Sequence, residues 1–252
     1  MKKLFRVSLL LLSMSILGQA ATRGDVKVIE ASENIRYLSQ KIVKDYLFLY
    51  KNPEQIDVKN RLKTSLQKLS SDFRIIATTT KDSDTKDILE FLAYSKDQIE
   101  EIFNEKVDQE KAALMLDYSE TLLEGADSIA LAHKYDFSNE EKMLMVTKKL
   151  EYLLERVTKY YMALNTGFSN ETNRVQLKRA MIQIEENLVK ISMYDYPQEM
   201  KVTQKKLDSS WTSNRILFYK SETLFIPKLM LISISNLEST LSELALYHSK
   251  NQ

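Results

Sequence analysis

The chain repeats one pattern of apolar residues at a constant offset of 115 positions. Between Val28 and Tyr50, apolar residues recur at three- and four-residue intervals, the spacing of a core-facing helix. The pattern returns between 143 and 164 without a gap. Three of its pairs are identical: Leu38/Leu153, Tyr46/Tyr161 and Leu49/Leu164. Because unrelated leucine-rich helices would lose register, the offset predicts a tandem duplication of one helical unit.

The same offset relates later segments of the two halves. Leu62-Lys63 returns as Leu177-Lys178, and the segment 129–133 returns as 244–248, each ending in histidine. The cations Lys41 and Lys44 correspond to Arg156 and Lys159. We therefore predict one repeat at 21–135 and a second at 136–252.

Composition favours an all-α protein built as two tandem four-helix up-and-down repeats, with eight long helices. Four glycines and three prolines leave few breaks, and the absence of cysteine excludes disulfides and thiolate metal sites. Short predicted turns favour antiparallel neighbours. The two repeats could stack end to end or pack side by side, and the sequence leaves both arrangements open.

Capping signals divide the chain into these helices. Asp84 is the predicted cap of the third helix, Ser138 and Glu141 have capping-box spacing before the fifth, and Gly167 is placed to end the fifth. The eighth helix is expected from about 223 to 248. Gly125 lies inside the fourth helix, where glycine costs about 1 kcal/mol relative to alanine, so we expect a close helix contact there.

Residues 1–20 have the composition of a secretory signal peptide. Cations at Lys2, Lys3 and Arg6 precede an apolar run from 7 to 17, and a small residue at Ala20 follows. We expect cleavage after Ala20 and export to the periplasm. An uncleaved membrane anchor is the alternative, although the run is shorter than the roughly 20 residues of a membrane span. Without these three cations the net charge of +1 becomes −2, so we expect no nucleic-acid partner.

The segment 35–42, IRYLSQKI, resembles the R-M-L-S-Q-R-M segment of PilJ-type sensor domains. These are extracytoplasmic domains of type IV pilus chemotaxis transducers, related to the nitrate-sensing NarX-like domains. The matches, by identity or by charge, are Arg36, Leu38, Ser39, Gln40 and Lys41, while Tyr37 replaces methionine. The corresponding segment of the second half, 151–156, does not match.

This resemblance implies a ligand-binding sensor or interaction module without enzymatic activity. In the nitrate-sensing branch, the arginine matching Arg36 binds the anion at a dimer interface, so Arg36 and Gln40 are the candidate ligand-binding residues. Guanidinium suits this role because its planar fork of donors stays charged. The equivalent of Arg36 in the second half is Glu151, so such a site would require a homodimer joined through the first halves. The alternative is that Arg36 is a solvated or salt-bridged helix residue.

The expected partners are a small anion and a membrane receptor, sensor kinase or chemotaxis transducer, and we expect no cofactor. The competing class is a structural or chaperone-like periplasmic bundle with no small-molecule ligand. A pocket lined by Arg36 and Gln40 would favour the sensor, whereas Arg36 paired with glutamate in a dry interface would favour the structural bundle.

The remaining polar residues give weaker signals. His133 and His248 have no ligand partner three or four residues away, so we expect helix-end cations rather than a metal site. The pair Glu140-Glu141 is expected to be solvated. With two histidines, no cysteine and no glycine-rich phosphate loop, the sequence gives little support to an enzyme.

Overall fold

In a computed structural model of the protein, the described residues form eight helices and no strand, which confirms the predicted all-α class. The structure describes residues 2–252, with side chains from residue 24 onward. The predicted signal segment and its cleavage site at Ala20 lie outside the residues with described side chains. The helices are α1 (Lys2–Lys51), α2 (Ile56–Thr79), α3 (Ser83–Asn104), α4 (Gln109–Ala132), α5 (Asn139–Asn165), α6 (Glu171–Met193), α7 (Gln198–Tyr219) and α8 (Pro227–Lys250). Across the described part of the chain, no helix has the length and apolarity to cross a membrane.

Helix contacts close a ring of four in each half of the chain. In the first half, α1 and α3 each pack against both α2 and α4. In the second half, α5 and α7 each pack against both α6 and α8. The two rings meet through α1 and α5, which also pack against each other. The halves therefore lie side by side.

From the end of α1 onward, the helix bounds follow the offset found in the sequence to within one residue, except that α8 lies three residues later than the offset from α4 predicts. Both ends of α3 and α7 are 115 residues apart, and so are the starts of α2 and α6. The expected start of the eighth helix near 223 is wrong, because α8 begins at Pro227. Proline is favoured at the first helical position, where its missing N–H would have no helical partner.

The capping predictions are confirmed except at α3. The Ser138 and Glu141 side chains form the capping box of α5, and Gly167, with a φ of 112°, follows the end of that helix. Asp82 rather than Asp84 caps α3, accepting a hydrogen bond from the Thr85 amide. A Cβ at Gly125 would lie 2.5 Å from Leu92 Cδ2, so the expected close helix contact is present.

The centre of the molecule is the pair α1 and α5. Leu38 and Leu153 are both buried there, as the duplication predicts. From Tyr152 to Leu164, all of α5 is buried except Arg156. A helix buried on all sides also encloses its polar residues. The charged side chains of this segment therefore lie inside the protein.

Candidate functional site

Buried charges line the contact between α1 and α5. The Glu155 carboxylate on α5 lies 2.6 Å from Lys44 Nζ and 3.3 Å from Lys41 Nζ, both on α1. Burial opposes ionisation of Glu155, but the charges of Lys44 and Lys41 outweigh it and lower the pKa of Glu155. Burial likewise opposes the charge of Lys44, yet Glu155 raises the Lys44 pKa. Both members of the pair are therefore ionised.

A second carboxyl group, Glu238 on α8, belongs to the same cluster. Burial and the nearby negative charge of Glu155 raise the pKa of Glu238 to about 8. Glu238 is therefore mostly protonated at neutral pH and can donate a hydrogen bond to Glu155. Tyr37 joins them, since its hydroxyl accepts a 2.6 Å hydrogen bond from Lys41 Nζ and also contacts Glu238.

Three members of this cluster, Lys41, Lys44 and Glu238, line a cleft between the two halves. The cleft has a volume of about 470 Å³, with α1 and α2 on one side and α8 on the other. Four cations line it: Lys41, Lys44, Arg61 and Lys228. Its apolar lining is formed by Phe48, Val58, Leu231 and Ile232. The cleft thus offers positive charge beside apolar surface.

Carboxylates in and beside the cleft offset most of this positive charge. Glu155 pairs with Lys44 and Lys41, and Asp45 Oδ1 lies 3.6 Å from both Lys44 Nζ and Arg61 Nη2. Among the described side chains, Lys228 is the cation of the lining without an ion pair. The pairs made by Arg61 are long, 3.4 Å to Asp57 Oδ2 and 3.6 Å to Asp45 Oδ1. The exposed pair with Asp57 is weak, so Arg61 can exchange it for a ligand, whereas Asp45 is fully buried and has Lys44 as its other nearby cation.

Arg36 lies in a different, smaller pocket of about 220 Å³. Its Nη1 donates to Glu33 Oε1 at 2.6 Å, its Nη2 lies 3.3 Å from Asp127 Oδ1, and its guanidinium lies 4.3 Å from the centre of the Tyr152 ring. The carboxylates beside Arg36 are thus Glu33 and Asp127 and not Glu151, which pairs with Lys148 at 2.9 Å. Arg36 is buried and salt-bridged, which agrees with the alternative prediction that it is a salt-bridged helix residue.

Gln40 is buried and faces α4. Its Nε2 donates to the Ser119 carbonyl oxygen at 3.2 Å and to Ser39 Oγ at 3.0 Å. The structure does not bring Gln40 into the pocket that Arg36 lines. These contacts favour a structural role for both residues, and their predicted ligand binding stays a prediction.

The equivalent cations in the second half have a different environment. Lys159 is buried, and its Nζ lies 2.9 Å from Ser119 Oγ and 2.5 Å from Glu120 Oε1. Burial lowers the pKa of Lys159 to about 8, although Glu120 opposes the shift. Arg156 Nη2 pairs with the same carboxylate at 2.6 Å. Lys41 and Lys44 of α1 therefore pair with Glu155 of α5 in the other half. Arg156 and Lys159 of α5 instead pair with Glu120 of α4.

Each histidine lies at the end of one half of the chain and contacts a carboxylate at the beginning of the same half. His133 Nδ1 lies 2.7 Å from Asp25 Oδ1, and His248 Nδ1 lies 2.7 Å from Glu140 Oε2. Asp25 and Glu140 are themselves 115 residues apart. The expectation of simple helix-end cations missed these carboxylates, which are 108 residues distant in the chain. Among residues with described side chains, no group of three or more ligands is placed to hold a metal ion.

The sequence did not predict a role in this site for Glu155, Glu238, Arg61 or Lys228. The available signal was the identical pair Lys44/Lys159, which lies within two core-facing helical segments. A lysine kept at equivalent positions inside a core-facing segment indicates a buried partner, since unpaired buried ammonium groups are very costly.

Comparison of the chain with protein-family models, with curated proteins and with solved structures found no match. The resemblance to PilJ-type and NarX-like sensor domains therefore rests on the segment 35–42 and stays a prediction.

Proposed function

We propose that the protein is a non-enzymatic helical sensor or interaction module that binds a small anion in the cleft between its two halves. The supporting observation is that Arg61 and Lys228 converge on that cleft, beside Lys41 and Lys44, which already pair with Glu155. Guanidinium and ammonium groups bind carboxylates through charge-assisted hydrogen bonds. Because the lining also includes apolar side chains, a small organic carboxylate fits the cleft better than bare nitrate does.

Binding in this cleft would favour one arrangement of the two halves. The cations come from α1 and α2 in the first half and from α8 in the second, so a bound anion contacts both halves. A ligand shifts a conformational equilibrium by its difference in affinity for the two states. An anion held from both sides therefore favours the arrangement of the halves seen in this structure.

We place this module in the periplasm on the strength of the predicted signal segment. A membrane receptor, sensor kinase or chemotaxis transducer is the partner that would respond to the anion-bound arrangement. This part of the proposal derives from the resemblance of the segment 35–42 to PilJ-type domains.

Titration calorimetry on the purified protein tests anion binding. The probes are nitrate, nitrite, acetate, succinate and citrate, and we expect heat with at least one dicarboxylate or tricarboxylate. The double variant Arg61→Ala/Lys228→Ala removes two cleft cations and is expected to lose this heat. The matched control Lys63→Ala/Lys205→Ala removes two exposed cations outside the cleft lining and should bind like the parent protein. Equal losses in both variants would indicate a nonspecific charge effect and contradict the proposal.

The second candidate is a structural or chaperone-like bundle without a small ligand. Two contacts favour it: Arg36 donates to Glu33, and Gln40 donates to the Ser119 carbonyl oxygen. The donors predicted to bind an anion are therefore engaged within the protein. Absence of heat with every probe, in the parent protein as in the double variant, would favour this class.

A further inference from the structure

The outer face of α6 has an exposed apolar stripe with seven-residue spacing. Val175, Ile182 and Val189 are 40%, 58% and 49% exposed. Met193, at the end of the helix, is 79% exposed. Residues seven apart lie on one face of a helix. Because α6 packs against α5 and α7 through its other faces, this stripe, which we call the α6 stripe, faces solvent within the described chain.

The equivalent helix α2 has polar residues on the same face. The residues 115 positions before Val175, Ile182 and Val189 are Asn60, Gln67 and Arg74, and all three are exposed. The two helices occupy the same place in their four-helix rings. The fold therefore accepts a polar face at this place, and packing within the chain does not explain the apolar residues of α6.

Charges flank the α6 stripe in a self-complementary order. Lys178 and Arg179 precede Ile182, while Glu185 and Glu186 follow it at the same distances. In an antiparallel pair of α6 helices centred on Ile182, the basic residues of one helix face the acidic residues of the other. Val175 of one helix then lies beside Val189 of the other. A parallel pair in register would instead bring like charges together, which is unfavourable.

We infer that the α6 stripe binds the α6 stripe of a second copy of this chain, as an antiparallel helix pair about a two-fold axis. A two-fold interface must be self-complementary, and the order of apolar and charged residues on α6 has that property. Burial of the apolar stripe supplies the attraction, and the flanking charges set the orientation.

The size of this face predicts a weak dimer. At 23 residues, α6 is about 35 Å long. A strip about 10 Å wide along it would bury on the order of 700 Å² from the two copies together. Stable interfaces bury about 1,200 Å² or more, so we expect a weak dimer whose dissociation constant is micromolar or larger.

One ion pair within the chain competes with this contact. Glu185 Oε1 lies 3.3 Å from Arg215 Nη1, and both side chains are well exposed. Exposed ion pairs contribute little, so Glu185 can also pair with a cation of the second copy.

Sedimentation equilibrium of the full chain over a range of concentrations tests the dimer. Ile182→Asp should raise the dimer dissociation constant about ten-fold or more, because it places a charge at the centre of the apolar stripe. Gln67→Asp, at the equivalent position of α2, is the matched control and should leave the dimer unchanged. Circular dichroism checks that both variants are folded. A chain that stays monomeric at hundreds of micromolar, or a dimer that responds equally to both substitutions, would overturn the inference.

Charge reversal tests the orientation of the helices. Lys178→Glu/Arg179→Glu and Glu185→Lys/Glu186→Lys should each weaken the homodimer, because like charges then face each other. An equimolar mixture of these two variants should form a heterodimer, and the variant with all four changes should dimerise like the parent protein. Failure of both the mixture and the four-fold variant to dimerise would overturn the antiparallel pairing.

Discussion

Glu155 Oε2 on α5 lies 2.6 Å from Lys44 Nζ on α1, and both side chains are buried. This ion pair joins the two halves and has no counterpart 115 residues away. Gln40 occupies the position equivalent to Glu155, and Lys159 pairs with Glu120 instead. A buried ion pair adds little net stability over apolar packing, but breaking it leaves an uncompensated charge. We infer that the pair fixes how α1 lies on α5.

Removal of the Glu155 carboxylate should therefore destabilise the protein. Glu155→Ala leaves Lys44 buried with only the more distant Asp45 carboxylate, 3.6 Å away, and we expect a loss of about 3 kcal/mol in the free energy of unfolding. Glu151→Ala on the same helix removes the partner of Lys148, which is 34% exposed, and should cost less, about 1 kcal/mol, because the freed ammonium reaches water. Urea unfolding measures both values. Equal and small losses would show that the pair does not anchor the halves.

Glu238 should make stability depend on pH. Its pKa is raised from 4.5 to about 8 in the folded protein, so the folded state binds more protons than the unfolded state between these values. The protonated Glu238 contributes its full stabilisation below about pH 4.5, and this contribution is lost as the pH rises through about 8. Glu238→Gln stays neutral at every pH. It should therefore match the stability of the parent protein near pH 4.5 and exceed it above pH 8 by on the order of a few kcal/mol. Urea unfolding across this range decides it, and parallel pH curves for the two proteins would contradict the shift.

The close contact at Gly125 should not tolerate a side chain. Gly125→Ala gains about 1 kcal/mol of helix propensity but forces the buried Leu92 to move, and overpacking costs about 1–3 kcal/mol. Because the two effects oppose each other, we expect a net loss of about 1 kcal/mol. In the double variant Gly125→Ala/Leu92→Ala, thermal unfolding should show a smaller loss than the sum of the single losses. At Gly24 a Cβ would have its nearest neighbour at 3.8 Å, so Gly24→Ala is the control and should be neutral or stabilising. If the stability losses of Gly125→Ala and Leu92→Ala simply add in the double variant, a Cβ at Gly125 does not clash with Leu92.

The apolar pattern of the repeat predicts which leucines stabilise the core. Leu38→Ala and Leu153→Ala should each cost about 2–5 kcal/mol, since both side chains are buried. Leu131, which is 70% exposed, gives the control, and Leu131→Ala should change stability by about 0.5 kcal/mol or less. Guanidinium unfolding of the three variants tests this, and a small effect at Leu38 would contradict its place in the core.

Local features of the fold were predictable because their causes are local. The capping box at Ser138 and Glu141 and the helix end at Gly167 each depend on a few adjacent residues. The all-α class follows from the spacing of apolar residues along each helix.

The charged site was not predictable because its contacts join residues far apart in sequence. Glu140 was expected to be solvated, and this is wrong, since its carboxylate contacts His248 and the Tyr194 hydroxyl. Glu155 is buried because α1, α6 and α8 all pack around α5, an arrangement that no single helix pattern contains. The side-by-side contact of the halves decides both the cleft and the environment of Arg36.

We propose that an anion binds in the cleft between the halves and not beside Arg36. The most direct measurement is chemical-shift mapping of backbone amides during titration with succinate and then citrate. We predict the largest shifts around Lys44, Arg61 and Lys228, with little change at Arg36. Shifts centred on Arg36, or no saturable shifts with either anion, would contradict it.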